Sequence, residues 1–108
     1  MAMPVLETIV ELLGLPEAGK DAPSLDRIED TLTEGYARAL ALEAEHLRVE
    51  RRLGEVAREA NGNGNADLAQ ELSALSERLA SADGELARLR ALLETLHDRA
   101  RAVRYARR

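Results

Sequence analysis

The sequence predicts an all-α chain: a long antiparallel helical hairpin, in effect a two-stranded coiled coil, preceded by a short amphipathic helix and dimerising into a helical bundle. Three observations carry this expectation. Ala, Leu, Glu and Arg dominate the 108 residues, the bias of long helices. Apolar residues recur at alternating spacings of four and three through two long stretches. Between those stretches stands Asn61-Gly-Asn-Gly-Asn65, a run rich in residues that end and start helices.

Residues 1–14, MAMPVLETIVELLG, read as the short helix. Pro4 suits a first helical position, where its missing N–H costs nothing. Val5, Leu6, Ile9, Val10, Leu12 and Leu13 cover one broad face, with Glu7, Thr8 and Glu11 on the other. Gly14 suits the C-terminal cap, and Pro16 prevents continuation. Residues 15–23 then form a loop. A helix this short needs a surface to dock on.

Residues 24–108 form the hairpin. Ser24 caps a helix running to Ala60, with Leu25, Leu32, Ala39, His46, Leu53 and Ala60 at heptad position a. Ile28, Gly35, Leu42, Val49 and Val56 fall at d. Residues 61–65 make the turn, with Asn65 capping the second helix and Asp67 facing its positive end. From Leu68 to Val103 the second seam runs without a slip. Folding at Gly64 pairs residues whose numbers sum to 128, so that Val56 meets Leu72, Leu53 meets Leu75, Val49 meets Leu79, His46 meets Ala82 and Gly35 meets Leu93. Every a faces a d, and small residues face large ones, as a core without voids requires. The flanking charges can pair in two ways. Sums of 123 set Arg52 by Glu71 and Glu45 by Arg78; sums of 130 set Arg52 by Arg78 and Glu45 by Glu85. Side chains lean toward their helix N-terminus, which favours the second, repulsive set.

Composition narrows the function. There is no Cys, so no disulfide framework or thiolate metal site is possible, and a reducing cytoplasmic interior suits the chain. Tyr36 and Tyr105 are the whole aromatic content, too little for a pocket that encloses a ligand. Fourteen Arg against one Lys suggest a GC-rich bacterial genome. The net charge of −5 argues against nucleic-acid binding. No stretch resembles a membrane span or signal peptide. The NGNGN run lacks the glycine spacing and the Lys-Ser/Thr ending of a phosphate loop, so it reads as a turn.

Two Glu-x-x-His pairs, Glu43 with His46 and Glu94 with His97, carry the spacing that di-iron carboxylate bundles use. In the hairpin register residue 97 lies level with position 31, about 22 Å along the helix from His46. Only a bundle of several chains would join the pairs, in a ferritin-like or di-iron site. His46 alone, at an a position near Glu43, Glu50 and Asp83, reads as a polar register-setter, with a pH-sensitive switch as the functional alternative. The closing RARAVRYARR supplies cations to a helix C-terminus, where they meet the negative end of the dipole, with binding of nucleic acid or an anionic membrane surface as the functional alternative.

Tyr36, Leu40, Ala44 and Leu47 form an apolar stripe outside the seam, and Leu92 adds another apolar side chain at a g position. Val5, Leu6, Ile9, Val10 and Leu13 of the short helix could cover this surplus, in one chain or by exchange onto a second copy. The expectation is therefore a non-catalytic interaction module, an oligomeric scaffold, adaptor or helix-binding chaperone that needs no cofactor. Its partners are a second copy of the chain or another helical protein. A heptad in phase almost to Arg108 would also suit a helix cut from something longer.

Overall fold

The computed structural model describes residues 4–63 and 66–106. Among them the chain forms three helices and no strand: α1 (Pro4–Leu13), α2 (Leu25–Asn63) and α3 (Ala66–Ala106). The long helices α2 and α3 pack against each other as a hairpin. The residues group into two compact units, one joining Met1–Leu40 to Arg88–Arg108, the other comprising Ala41–Ala87.

Unit 1 is a three-helix assembly. α1 ends where the sequence expects, with the Gly14 amide donating to the Val10 and Glu11 carbonyls at 3.1 and 3.2 Å. The left-handed residue of the following loop is Gly19, at a φ of 95° that a side chain would strain. Ser24 caps α2 as its sequence position predicts, its Oγ accepting from the Arg27 amide at 3.1 Å. Val5, Ile9 and Leu12 of α1 are buried together with Leu25, Ile28 and Leu32 of α2 and Leu89, Leu93, Leu96 and Ala100 of α3. The contact that organises this core is at Gly35. A Cβ there would collide with the Leu93 side chain and lie 3.5 Å from Ile9 Cδ1, so the missing side chain is what lets α1 and α3 close on α2. The pairing of Gly35 with Leu93 is the one the heptad register requires. Thr31, also buried, satisfies its hydroxyl by donating to the Arg27 carbonyl at 2.9 Å.

Unit 2 is built from two helices alone. Val49, Val56 and Leu75 are buried, with Leu53, Leu68, Leu72 and Leu79 packed against them. These are the layers that the sum of 128 places together. The flanking charges correct the expectation from side-chain lean. Arg52 Nε donates to Glu71 Oε1 at 2.8 Å, and Arg78 lies 3.4 Å from Glu45, which are the favourable pairs. Arginine and glutamate chains are long enough to reach either partner, so the sign of the charge decides. Arg52 also contacts Glu55 at 3.3 Å. The hydrogen bond to Glu71, then the one to Glu55, raises its pKa further above the ordinary arginine value. The guanidinium therefore stays charged, and the pair's contribution from this side is fully present, at every pH below that ordinary value.

One boundary differs from the sequence reading. α2 continues past Ala60 through Asn63, so Asn61, Gly62 and Asn63 extend the helix instead of opening the turn. Glycine and asparagine lower helix propensity by about 1 kcal/mol or less each, and neighbouring structure overrides that readily. The rest of the expected turn, Gly64 and Asn65, including the Asn65 cap, lies outside the described residues.

Candidate functional site

α1 uses its apolar face inside its own chain. Val5 and Ile9 are buried, Leu6 and Leu13 half-buried, and Val10 exposed. The edge of the hairpin that α1 covers is set by heptad position. Thr31 and Arg99, both at g, are largely removed from water, whereas Tyr36, at e on α2, is 46% exposed. Leu92, another g residue, is half-buried.

Arg99 makes the choice of edge specific. Its guanidinium, 16% exposed, donates to the Leu12 carbonyl at 3.0 Å and the Leu15 carbonyl at 3.2 Å. It also sits 3.7 Å from the Glu17 carboxylate. The last carbonyls of a helix have no partner within the helix, and the dipole there favours a cation. α1 has no basic residue in its own last turn; α3 supplies the cation. The sequence reading grouped Arg99 with the arginines that cap α3. Its clasp on α1 depends on where the loop carbonyls turn, which residue spacing does not encode.

The stripe expected on α2 remains uncovered among the described residues. Tyr36, Leu40 and Leu47 are 46%, 66% and 53% exposed, and Ala44 between them is exposed too. Tyr36 and Leu40 belong to unit 1, four residues apart on one side of its part of α2; Ala44 and Leu47 belong to unit 2, three residues apart on one side of its part. Large apolar side chains scattered singly on a surface are ordinary, but a row of them on one helix is the form that partner helices recognise.

The titratable candidates lie elsewhere. His46, 26% exposed, sits between two carboxylates: Nε2 is 3.0 Å from Glu50 Oε2, and Nδ1 is 2.6 Å from Asp83 Oδ1. The Nδ1 contact lacks hydrogen-bond alignment, and that atom is buried. The two carboxylates approach opposite ring nitrogens and do not converge with the ring on one point, as the ligands of a single metal ion would. Glu43 is half-buried in the same unit; Glu94, exposed, and His97, half-buried, belong to unit 1. Among the described residues no group of three His, Asp or Glu could hold a metal ion. At the C-terminal end, Arg104 pairs with Glu29 at 3.0 Å and Arg101 is exposed. Arg107 and Arg108 lie outside the described residues. A groove bordered by Glu17, Asp98, Arg99 and Val103 opens to solvent in unit 1. No helix of the described residues is long and apolar enough to cross a membrane.

No family model matches the chain, and neither does any curated protein or any solved structure.

Proposed function

We propose that this chain is a non-catalytic protein–protein interaction module, a self-associating scaffold or adaptor that works by laying one face of α2 against another helix. The observation that supports it most is the exposed pair Tyr36 and Leu40 on α2 in unit 1. Within unit 1, α1 leaves that pair exposed and docks where Thr31 and Arg99 are withdrawn from water, with Ile9 near Gly35 and the Arg99 clasp on its C-terminal carbonyls. Apolar surface of this kind has its use when a partner removes it from water, at roughly 25 cal/mol per Å² buried.

The experiment is site-specific photo-crosslinking in cells that produce the chain. A photoreactive residue replaces Tyr36, Leu40 or Leu47 in turn, with exposed Glu94 as the control position. Adducts at the three α2 positions and none at the control are expected. Equal labelling everywhere, or no adduct at any α2 position, would sink the reading.

A further inference from the structure

Within unit 2, α2 has two faces. One is buried in the hairpin through Leu42, Val49 and Val56. The other follows Ala44, Leu47, Arg51, Gly54 and Arg58 at alternating spacings of three and four, and all of it lies inside unit 2. Leu47 is its one large apolar side chain, 53% exposed. Beside it the helix surface is hollow. Gly54 presents bare backbone, and a Cβ there would meet nothing closer than the Arg58 guanidinium at 3.7 Å. An open depression runs over this spot, bordered by Leu47, Arg51, Gly54, Glu55 and Arg58. A knob and a hole therefore share one face of one helix, seven residues apart.

Resting on the self-association reading above, we infer that this face of unit 2 docks on the same face of a second copy, antiparallel, with residue numbers summing to 101. In that register Leu47 of each copy enters the hole between Arg51, Gly54, Glu55 and Arg58 of the other, the way packed helices interlock. The centre of that hole is level with Gly54, and 47 and 54 give the sum. The same register lays Glu50 by Arg51 on both sides of the two-fold axis and Glu43 by Arg58 at both ends. A two-fold presents one patch to itself, so each of these contacts forms twice. Arg58 must move off Gly54 to reach its new partner, and what moves is the far end of a flexible side chain. Glu55 keeps its own contact, 3.3 Å from Arg52 of the same chain. Other arrangements lose the match. A sum of 94, one heptad away, sets Leu47 on Leu47 and leaves the hole at Gly54 without its knob. Parallel pairing sets Glu50 on Glu50, Arg51 on Arg51 and Arg58 on Arg58. Charge and shape together therefore pick out a second copy, in one direction.

The chain has no cysteine, so single-cysteine variants carry one spin label each. Ala41→Cys and Glu59→Cys replace exposed residues on opposite sides of the proposed two-fold axis. At about 1.5 Å rise per residue, they should give intermolecular separations of about 29 Å and about 26 Å along the helix. A slip to the sum of 94 would give about 18 Å and about 36 Å instead. Molar mass by light scattering over a hundredfold range of concentration should show a dimer in the same samples. Leu47→Glu, at a position half in solvent, should weaken that dimer by about a hundredfold. Gly54→Leu plugs the hole and should weaken the dimer as much, while the better helix former leaves the hairpin at least as stable. Arg51→Glu should weaken the dimer by about tenfold, and adding Glu50→Arg should restore it.

A dimer with the two nearly equal separations, broken by Leu47→Glu and by Gly54→Leu in a chain that stays folded, is the expected result. A dimer with a short separation at both labels is parallel, and one with widely unequal separations is out of register. A dimer indifferent to Gly54→Leu does not use the hole. Each of these overturns the inference while self-association stands. A chain that stays monomeric to millimolar concentration also overturns it. If photo-crosslinks at Tyr36 or Leu40 then identify a different protein, the interaction reading survives without the two-fold. If no adduct forms at any α2 position, both fall.

Discussion

The same pair of helices makes two different cores. In unit 1 a third helix closes the seam, and Ile9, Ile28, Leu89, Leu96 and Ala100 lose all contact with water. In unit 2 two helices face each other alone. There Leu42, Val49, Val56, Leu75 and Leu86 are buried, Val56 completely, but Leu53, Leu68, Leu72 and Leu79 remain half-exposed. The difference has a geometric cause. Two cylinders in contact shield only the line between them, so residues to either side of that line stay partly wet. Unit 2 answers with charge across its edges, Arg52 to Glu71 and Arg78 to Glu45. Exposed pairs of this kind are screened by water and add little stability, so they set which residues face one another more than how strongly the helices hold. Unit 1 holds by burial; unit 2 is held in register by charge.

The sharpest way to break this contrast is to make the same truncation in both units. Leu96→Ala removes a fully buried side chain from unit 1 and should cost about 2–5 kcal/mol. Leu72→Ala removes a half-buried one from unit 2 and should cost roughly half as much, since less apolar area returns to water. Urea unfolding gives the totals, and hydrogen exchange resolves where the amides open. Equal losses from the two variants would show that the two cores are equivalent.

A smaller effect separates the clasp from the core of unit 1. Arg99→Met keeps much of the side chain's apolar stem and deletes the donors to the Leu12 and Leu15 carbonyls. The expected cost is about 1–3 kcal/mol, concentrated in α1. Amides of residues 5–13 should exchange faster, while those of unit 2 keep their rates. Unchanged exchange in α1 would mean that Ile9 and Leu12 hold the helix without the guanidinium.

Much of the hairpin could be read from the sequence because coiled-coil registers are over-determined. Gly35 facing Leu93 and Val49 clustering with Leu79 follow from one sum, and a slip would spoil every layer at once. The end of α2 was less legible: Asn61 and Gly62 are poor helix formers, yet propensity is a weak force beside the packing of neighbouring turns. The destination of α1 could not be read at all. Both edges of the hairpin offered apolar residues, and the stripe at Tyr36, Leu40 and Leu47 looked the larger target. What decided was the packing at the bare backbone of Gly35, where Leu93 sits close with Ile9 beside it, and a guanidinium aimed at the Leu12 and Leu15 carbonyls. Neither exists until three helices are placed. For the candidate site, the stripe could be read from residue spacing, whereas only the structure shows that α1 leaves Tyr36 and Leu40 of unit 1 exposed.

The subtlest test concerns the one polar residue at an a position in unit 2. His46 interrupts the seam opposite Ala82 and turns both ring nitrogens toward carboxylates, Glu50 at 3.0 Å and Asp83 at 2.6 Å. Those carboxylates are well exposed, so the contacts sit at the weak end of ion-pair energies. A leucine there would meet Ala82 as large against small and add apolar burial to the seam of unit 2. His46→Leu should therefore stabilise unit 2, by up to about 1 kcal/mol, seen as a higher unfolding midpoint at neutral pH. Polar seam residues oppose slipped pairings, so the same variant should tolerate register errors better. Broader amide resonances in unit 2, or a second hairpin conformer, would reveal them. A loss of stability would mean that the two carboxylate contacts outweigh a filled seam, and that unit 2 depends on its charges for strength as well as for register.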